Sequence, residues 1–219
     1  MTDENNMTID QAEFMKRMKA IASDLWGGVA GEQKPAEAPE QKKEPAAKRE
    51  TKPAMDIGNL WKTADETIDW TDALAHNTPT DGLTGPKLWS FYHRHAEKVL
   101  AGDLDAYTEV LKKANPLGEL TGFAEGISMH AVSADRLESR FVCRDELLEK
   151  NRKQYLSAMG LRIARDLFAC LPVSEVRVTG EQAGKEVFSV TYERSRLLHR
   201  NFLFVDPVAL SEECGAEFN

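Results

Sequence analysis

No apolar run in this chain approaches the ~20 residues that a membrane-spanning helix needs. Cysteine is scarce: Cys143, Cys170 and Cys214 stand far apart. That spacing makes neither a zinc nor a redox motif, and an odd count argues against a disulfide framework. Reduced thiols in a cytoplasm are the simple expectation. The opening MTDENN is acidic and polar, unlike the charged-then-apolar start of a secretory signal. There is no nucleophile elbow, phosphate-binding loop or dinucleotide fingerprint. Ser189 and Ser195 lack a recognisable flank, and Lys185-Glu186 has the wrong order for a nuclease of the Asp…Glu-x-Lys kind. Of five histidines only His93 and His95 are close, and residues two apart on a helix face different directions. The sequence therefore predicts no catalytic residues, no cofactor and no metal.

What the sequence does have is a long helical pattern from Glu146 to Leu171, followed by a strand-like segment. Leu156, Met159, Gly160, Ile163, Ala164, Leu167, Phe168, Cys170 and Leu171 share one arc of roughly 200°, wider than a surface helix needs. This helix is expected to touch a sheet and at least one other element. Gly160 lies inside the arc, so a neighbour is expected to approach closely there. Ala158, Arg162, Arg165, Asp166 and Ala169 fill the other side. That placement predicts a solvated face, on which Arg162→Ala would cost about 0.5 kcal/mol or less.

The rest of the chain divides into three parts. Residues 1–30 hold an amphipathic helix, with Thr8 as its cap and Phe14, Met18, Ile21, Leu25 and Trp26 along one side. Residues 31–57 are Pro, Ala, Glu and Lys with little to bury, which predicts a disordered tether. Residues 58–219 are expected to form the globular domain. Within it, helix spacing from Pro86 to Leu100 and from Leu104 to Ala114, broken by Gly102, predicts an antiparallel helical hairpin. Alternation at Ile127, Met129 and Ala131, then at Leu137, Ser139, Phe141 and Cys143, predicts a β-hairpin turning at residues 133–135. Val176 and Val178 begin a second pair that turns between Glu181 and Lys185. Its last strand, apolar on both faces, is expected to be central. Phe202–Val205 reads as a further strand, and the acidic end as a solvated tail. The fold class is thus α+β: a helical hairpin, then β-β-α-β-β in an antiparallel sheet with the long helix on one face.

Charge is uneven. The chain carries a net −8, yet residues 136–200 hold 13 basic against 9 acidic groups. The acidic balance disfavours nonspecific nucleic-acid binding. Arg162, Arg165, Arg177 and Arg196, with Arg194 and Arg200 nearby, are the candidate anion or nucleic-acid surface, set against a plain solvated face with ion pairs. The stronger expectation is a protein partner, docked by the helix at Phe14, Met18, Ile21, Leu25 and Trp26. Membrane attachment and docking of that helix on its own domain are the competing readings.

The run from GDLDAY at residue 102 through LRIARDLFACLPVSEVRVT to VDP resembles an uncharacterised domain of bacterial and mobile-element proteins, over about residues 98–207. The resemblance implies an α+β domain in a bacterial or phage cytoplasm and carries no catalytic residue. Together these features predict a non-enzymatic interaction or adaptor protein, with a nucleic-acid-associated protein as the alternative.

Overall fold

The computed structural model describes residues 56–219, the α+β domain. The helix expected within residues 8–26 and nearly all of the tether expected at 31–57 lie outside the described residues. A single 3-10 turn at Leu60–Lys62 precedes helix α1 (Trp70–Ala75). The hairpin follows as α2 (Pro86–Leu100) and α3 (Leu104–Ala114). Asp103 caps α3 by accepting from the Ala106 amide at 2.8 Å. Gly102 takes φ +76, and a Cβ there would lie 2.5 Å from that of Ala134, so only glycine fits the turn. A second 3-10 turn, Gly118–Gly122, leads to β1 (Ala124–Ser133) and β2 (Arg136–Cys143).

The long helix is broken where the sequence reading had it continuous. Helix α4 (Asp145–Lys150) ends before Asn151, which then caps α5 (Arg152–Cys170) through the Gln154 amide at 3.3 Å. Strands β3 (Glu175–Gln182) and β4 (Lys185–Glu193) come next, turning through Ala183 and Gly184 at positive φ. A four-residue helix α6 (Arg194–Leu197), helix α7 (Pro207–Glu213) and a short β5 (Glu217–Phe218) complete the chain. The acidic end is therefore packed rather than solvated. Asp206 caps α7 through the Val208 amide at 2.9 Å, and Ser211 shares a 2.7 Å hydrogen bond with buried Tyr192. The expected strand at Phe202–Val205 is a turn region instead.

The five strands lie in the order β1-β2-β3-β4-β5. The sheet is mixed, which corrects the antiparallel expectation: β2 and β3 run parallel, and the other neighbours antiparallel. The cause is the connection. Helix α5 returns the chain to the end where β2 began, so the next strand must run in the same direction. Strand β4 is only partly central, because β5 pairs with it at just Phe188 and Ser189. Among the described residues no helix is long and apolar enough to cross a membrane.

Side chains alternate across the sheet, so Leu137, Phe141, Val176, Val178, Phe188, Val190 and Tyr192 share the face that receives α5. Gly160 allows that approach. A Cβ on it would fall 2.8 Å from Phe188 Cε1 and 3.2 Å from the Tyr192 hydroxyl. Gly160→Val is expected to destabilise the domain by about 1–3 kcal/mol through overpacking, measured by chemical denaturation.

The other side of α5 is where the sequence reading fails. Ala158, Arg162, Asp166 and Ala169 are buried, as are the apolar residues opposite them. The turn at Leu60–Lys62, α3 and α7 all pack on α5. Helix α5 is thus a middle layer between the sheet and this second shell, not a helix with one wet face.

Candidate functional site

Helix α5 ends at a construction made of distant pieces. The last carbonyls of a helix have no partner within it. Here the Phe168 and Leu171 carbonyls accept from Arg194 Nη2 at 2.8 and 2.5 Å. The Ala169 carbonyl accepts from the Ile68 amide at 2.9 Å, and the Cys170 carbonyl from the Trp70 indole at 3.0 Å. Arg194 Nε also donates to the Val173 carbonyl at 2.6 Å. Its positive charge sits where the helix dipole is negative. Arg194→Met, which keeps the stem and removes these donors, is expected to cost about 2 kcal/mol, measured as a drop in thermal stability.

A groove runs over this end. One part, about 200 Å³, is walled by Asp65, Thr67, Arg165, Phe168, Arg194 and Leu198, with Phe202 beside them. A second part, about 440 Å³, shares Thr67, Phe168 and Arg194 and continues over Ile68, Leu100, Leu171 and Pro172. Both arginines lie against rings: the Arg165 guanidinium is 3.7 Å from the Phe202 ring centre, and that of Arg194 is 4.9 Å from Phe168. Stacking fixes the plane of a guanidinium and leaves its edge donors available. Arg165 donates through Nη1 to the Trp61 and Thr63 carbonyls. Among the described residues its Nε and Nη2, and Arg194 Nη1, make no hydrogen bond, and neither guanidinium has a carboxylate within ion-pair distance. Burial pushes Arg165 down to about 10 and lowers Arg194 as well. The desolvated state of both cations follows from their half-buried position.

Three carboxylates of this region gather on Arg162 instead. Arg162 Nε donates to Asp166 at 2.6 Å, and Glu119 and Asp65 stand 3.5 and 3.9 Å from Nη2. Arg162 is 2 % exposed and Asp166 0 %. Arg162 is therefore structural and out of reach of a phosphate, contrary to the solvated face expected for it. The other three arginines of that expected surface do not join into one face. Arg165 lines the groove. Arg177 shares the side of β3 that alternation turns away from α5. Arg196 is on the surface at α6, 3.4 Å from Glu193 and 3.2 Å from the Glu213 carbonyl. Phe14, Met18, Ile21, Leu25 and Trp26 lie outside the described residues.

Beside the groove, the loop after α6 exposes Leu198, Leu203 and Phe204, the last of them 85 % exposed. Sequence reasoning missed this loop because Leu203 and Phe204 look like a strand. It also left Arg194 as one charge among several, since nothing local marks it as the cap of a helix that ended more than 20 residues earlier.

Two of the three cysteines and the close histidine pair are buried or engaged elsewhere. Burial pushes the Cys143 thiol up to about 11 and that of Cys170 to about 12, which removes their nucleophilic thiolates at neutral pH. His93 Nδ1 meets the Ala73 carbonyl at 2.7 Å, whereas His95 bridges the Phe91 carbonyl and Glu109, so the two face different neighbours. Among the described residues no three His, Cys, Asp or Glu side chains converge to hold a metal ion. No protein-family model, curated protein or solved structure matches this chain.

Proposed function

We propose that this chain is a non-enzymatic interaction protein of a bacterial or phage cytoplasm, with two partner-binding elements. One is the groove at the end of α5. The other is the N-terminal helix read from the sequence, docking through Phe14, Met18, Ile21, Leu25 and Trp26. The observation that carries this reading is the groove wall: two arginines lying against rings, with unused donors, beside exposed Leu198, Leu203 and Phe204. Desolvated cations among apolar side chains suit a protein surface better than open water. Arg and aromatic residues are also the types that dominate binding energy at interfaces.

The test is a photo-crosslinking amino acid placed singly at Leu198, Phe204 and Ile21 in the full chain, inside the native host. Adducts with one defined protein from Leu198 and Phe204, and none from a control at exposed Lys185, would support the reading. Equal labelling at all positions, or labelling of nucleic acid alone, would refute it.

A further inference from the structure

We propose that the groove takes an acidic peptide segment of a protein partner, with a carboxylate held between Arg165 and Arg194 and flanking apolar side chains on either side. This rests on the interaction reading above and names the chemistry of the partner. The groove is built for a planar anion rather than a point charge. The Arg165 guanidinium lies 3.7 Å from the Phe202 ring centre, and that of Arg194 lies 4.9 Å from the Phe168 ring centre. Arg165 keeps its Nε and Nη2 edge, two N–H donors in the geometry that matches a carboxylate, and Arg194 adds Nη1. The unused donors are Arg165 Nε and Nη2 and Arg194 Nη1; of the acids lining the groove, Asp65 faces Arg162 at 3.9 Å and Asp69 caps α1 through the Thr71 and Asp72 amides. A partly buried cation with no carboxylate in ion-pair distance keeps a desolvation cost that an entering carboxylate offsets.

Two features favour a peptide over a nucleic acid. Apolar side chains stand on both sides of Arg194, Leu198 and Phe202 on one and Leu100, Leu171 and Pro172 on the other, among the polar Asp65, Thr67, Asp69 and Thr71. These match side chains flanking an acid, not a sugar-phosphate backbone. The charge field points the same way. Duplex DNA carries a charge about every 1.7 Å and feels the whole surface, which on this chain is net acidic at −8. A single carboxylate inside the groove feels mainly the groove's own charges, Arg165 and Arg194 against Asp65 and Asp69, because exposed charges beyond about 8 Å are screened at physiological salt.

The experiment presents the full chain to an array of immobilised octapeptides with randomised flanks and one of four fixed centres: aspartate, asparagine, phosphoserine or lysine. Aspartate-centred peptides with apolar flanks are expected to bind at least about tenfold better than their asparagine counterparts, with the gap narrowing as salt rises. Leu198→Asp is the key variant. Leu198 is 65 % exposed, so the change spares the core while placing a competing carboxylate at the groove rim. It should reduce aspartate-peptide binding by at least about tenfold at an unchanged melting temperature. Arg165→Gln should act in the same direction, its fold checked by circular dichroism because Arg165 also holds the Trp61 and Thr63 carbonyls.

Equal binding of aspartate and asparagine centres, both lost in Leu198→Asp, would overturn the carboxylate assignment while leaving the groove as an interaction surface. Preference for phosphoserine, tighter binding of a single-stranded oligonucleotide, or aspartate binding indifferent to Leu198→Asp would each overturn it too. So would displacement of the aspartate peptides by a synthetic peptide of residues 8–26 at lower concentration, which would make the occupant a segment of this chain.

Discussion

Arg162→Ala is expected to destabilise the folded domain by about 3–5 kcal/mol, measured by urea denaturation of the full chain at neutral pH. The residue is one of the largest side chains that the core buries completely, and its guanidinium is the hub of a closed set: Asp166 at 2.6 Å, Glu119 at 3.5 Å, Asp65 at 3.9 Å and the Thr63 hydroxyl. Truncation removes the cation and leaves the Asp166 carboxylate at 0 % exposure, holding only the Asp65 amide at 2.9 Å. An unpaired buried charge is costly in a way that an exposed one is not.

The loss should also depend on pH. Burial already pushes the Asp166 carboxyl up, to about 6, against the downward pull of Arg162 and of the Asp65 amide. Taking the guanidinium away raises it further. A carboxyl with a raised folded pKa is penalised only while ionised. The penalty is therefore complete above the folded pKa and vanishes below the ordinary value of 3.8. The deficit of Arg162→Ala relative to the native chain should be largest above the variant's folded pKa and shrink as the pH falls toward about 6, below which Asp166 is protonated in both chains and the difference levels off. Adding Asp166→Asn should flatten that dependence. A deficit of under about 1 kcal/mol, or one that grows on acidification, would contradict the buried-pair reading.

Ile163→Ala is expected to cost about 2–5 kcal/mol, with no dependence on pH across the same range. Ile163 has no exposed surface and lies one residue from Arg162 on the helix that forms the middle layer. Because both sides of α5 are packed, neither can collapse freely into a vacated volume, and the cavity term should stay near the upper part of that range. The melting temperature would register this loss, and the contrast in pH behaviour separates a lost apolar contact from a stranded charge. A change below about 1 kcal/mol would mean that the second layer is looser than the burial of Trp61, Tyr107 and Leu120 indicates.

Much of the architecture was legible because local chemistry agrees with it. Gly102 and Asp103 mark the turn between α2 and α3, and alternating Leu137 and Phe141 mark a strand with one buried face. Gly160 announced a close neighbour and has one in Phe188. The parallel pairing of β2 with β3 was not legible, since each strand's own pattern suits either partner. The burial of Arg162 was hidden for a similar reason. A polar arc on a helix reads as wet, and only the i, i+4 spacing of Arg162 and Asp166 hints that the arc carries its own neutralisation. At the groove, sequence pointed to Arg165 among several arginines. The role of Arg194 depends on tertiary approach to a carbonyl, which leaves no local signature.

The end of α5 has a consequence for how the domain opens. Its last free carbonyls are held by Ile68, Trp70 and Arg194, partners separated from them by about 100 residues on one side and about 25 on the other. Helix termini ordinarily fray on their own, because nothing beyond the last turn restrains them. This one cannot unwind without lifting both the segment before α1 and the strand-end that carries Arg194. Opening there becomes a cooperative event of the whole domain, and the amides of the last turn should exchange with deuterium only through global unfolding. The groove floor would then be among the slowest-exchanging parts of the protein, a rigid bed beneath a surface loop that is free to exchange early.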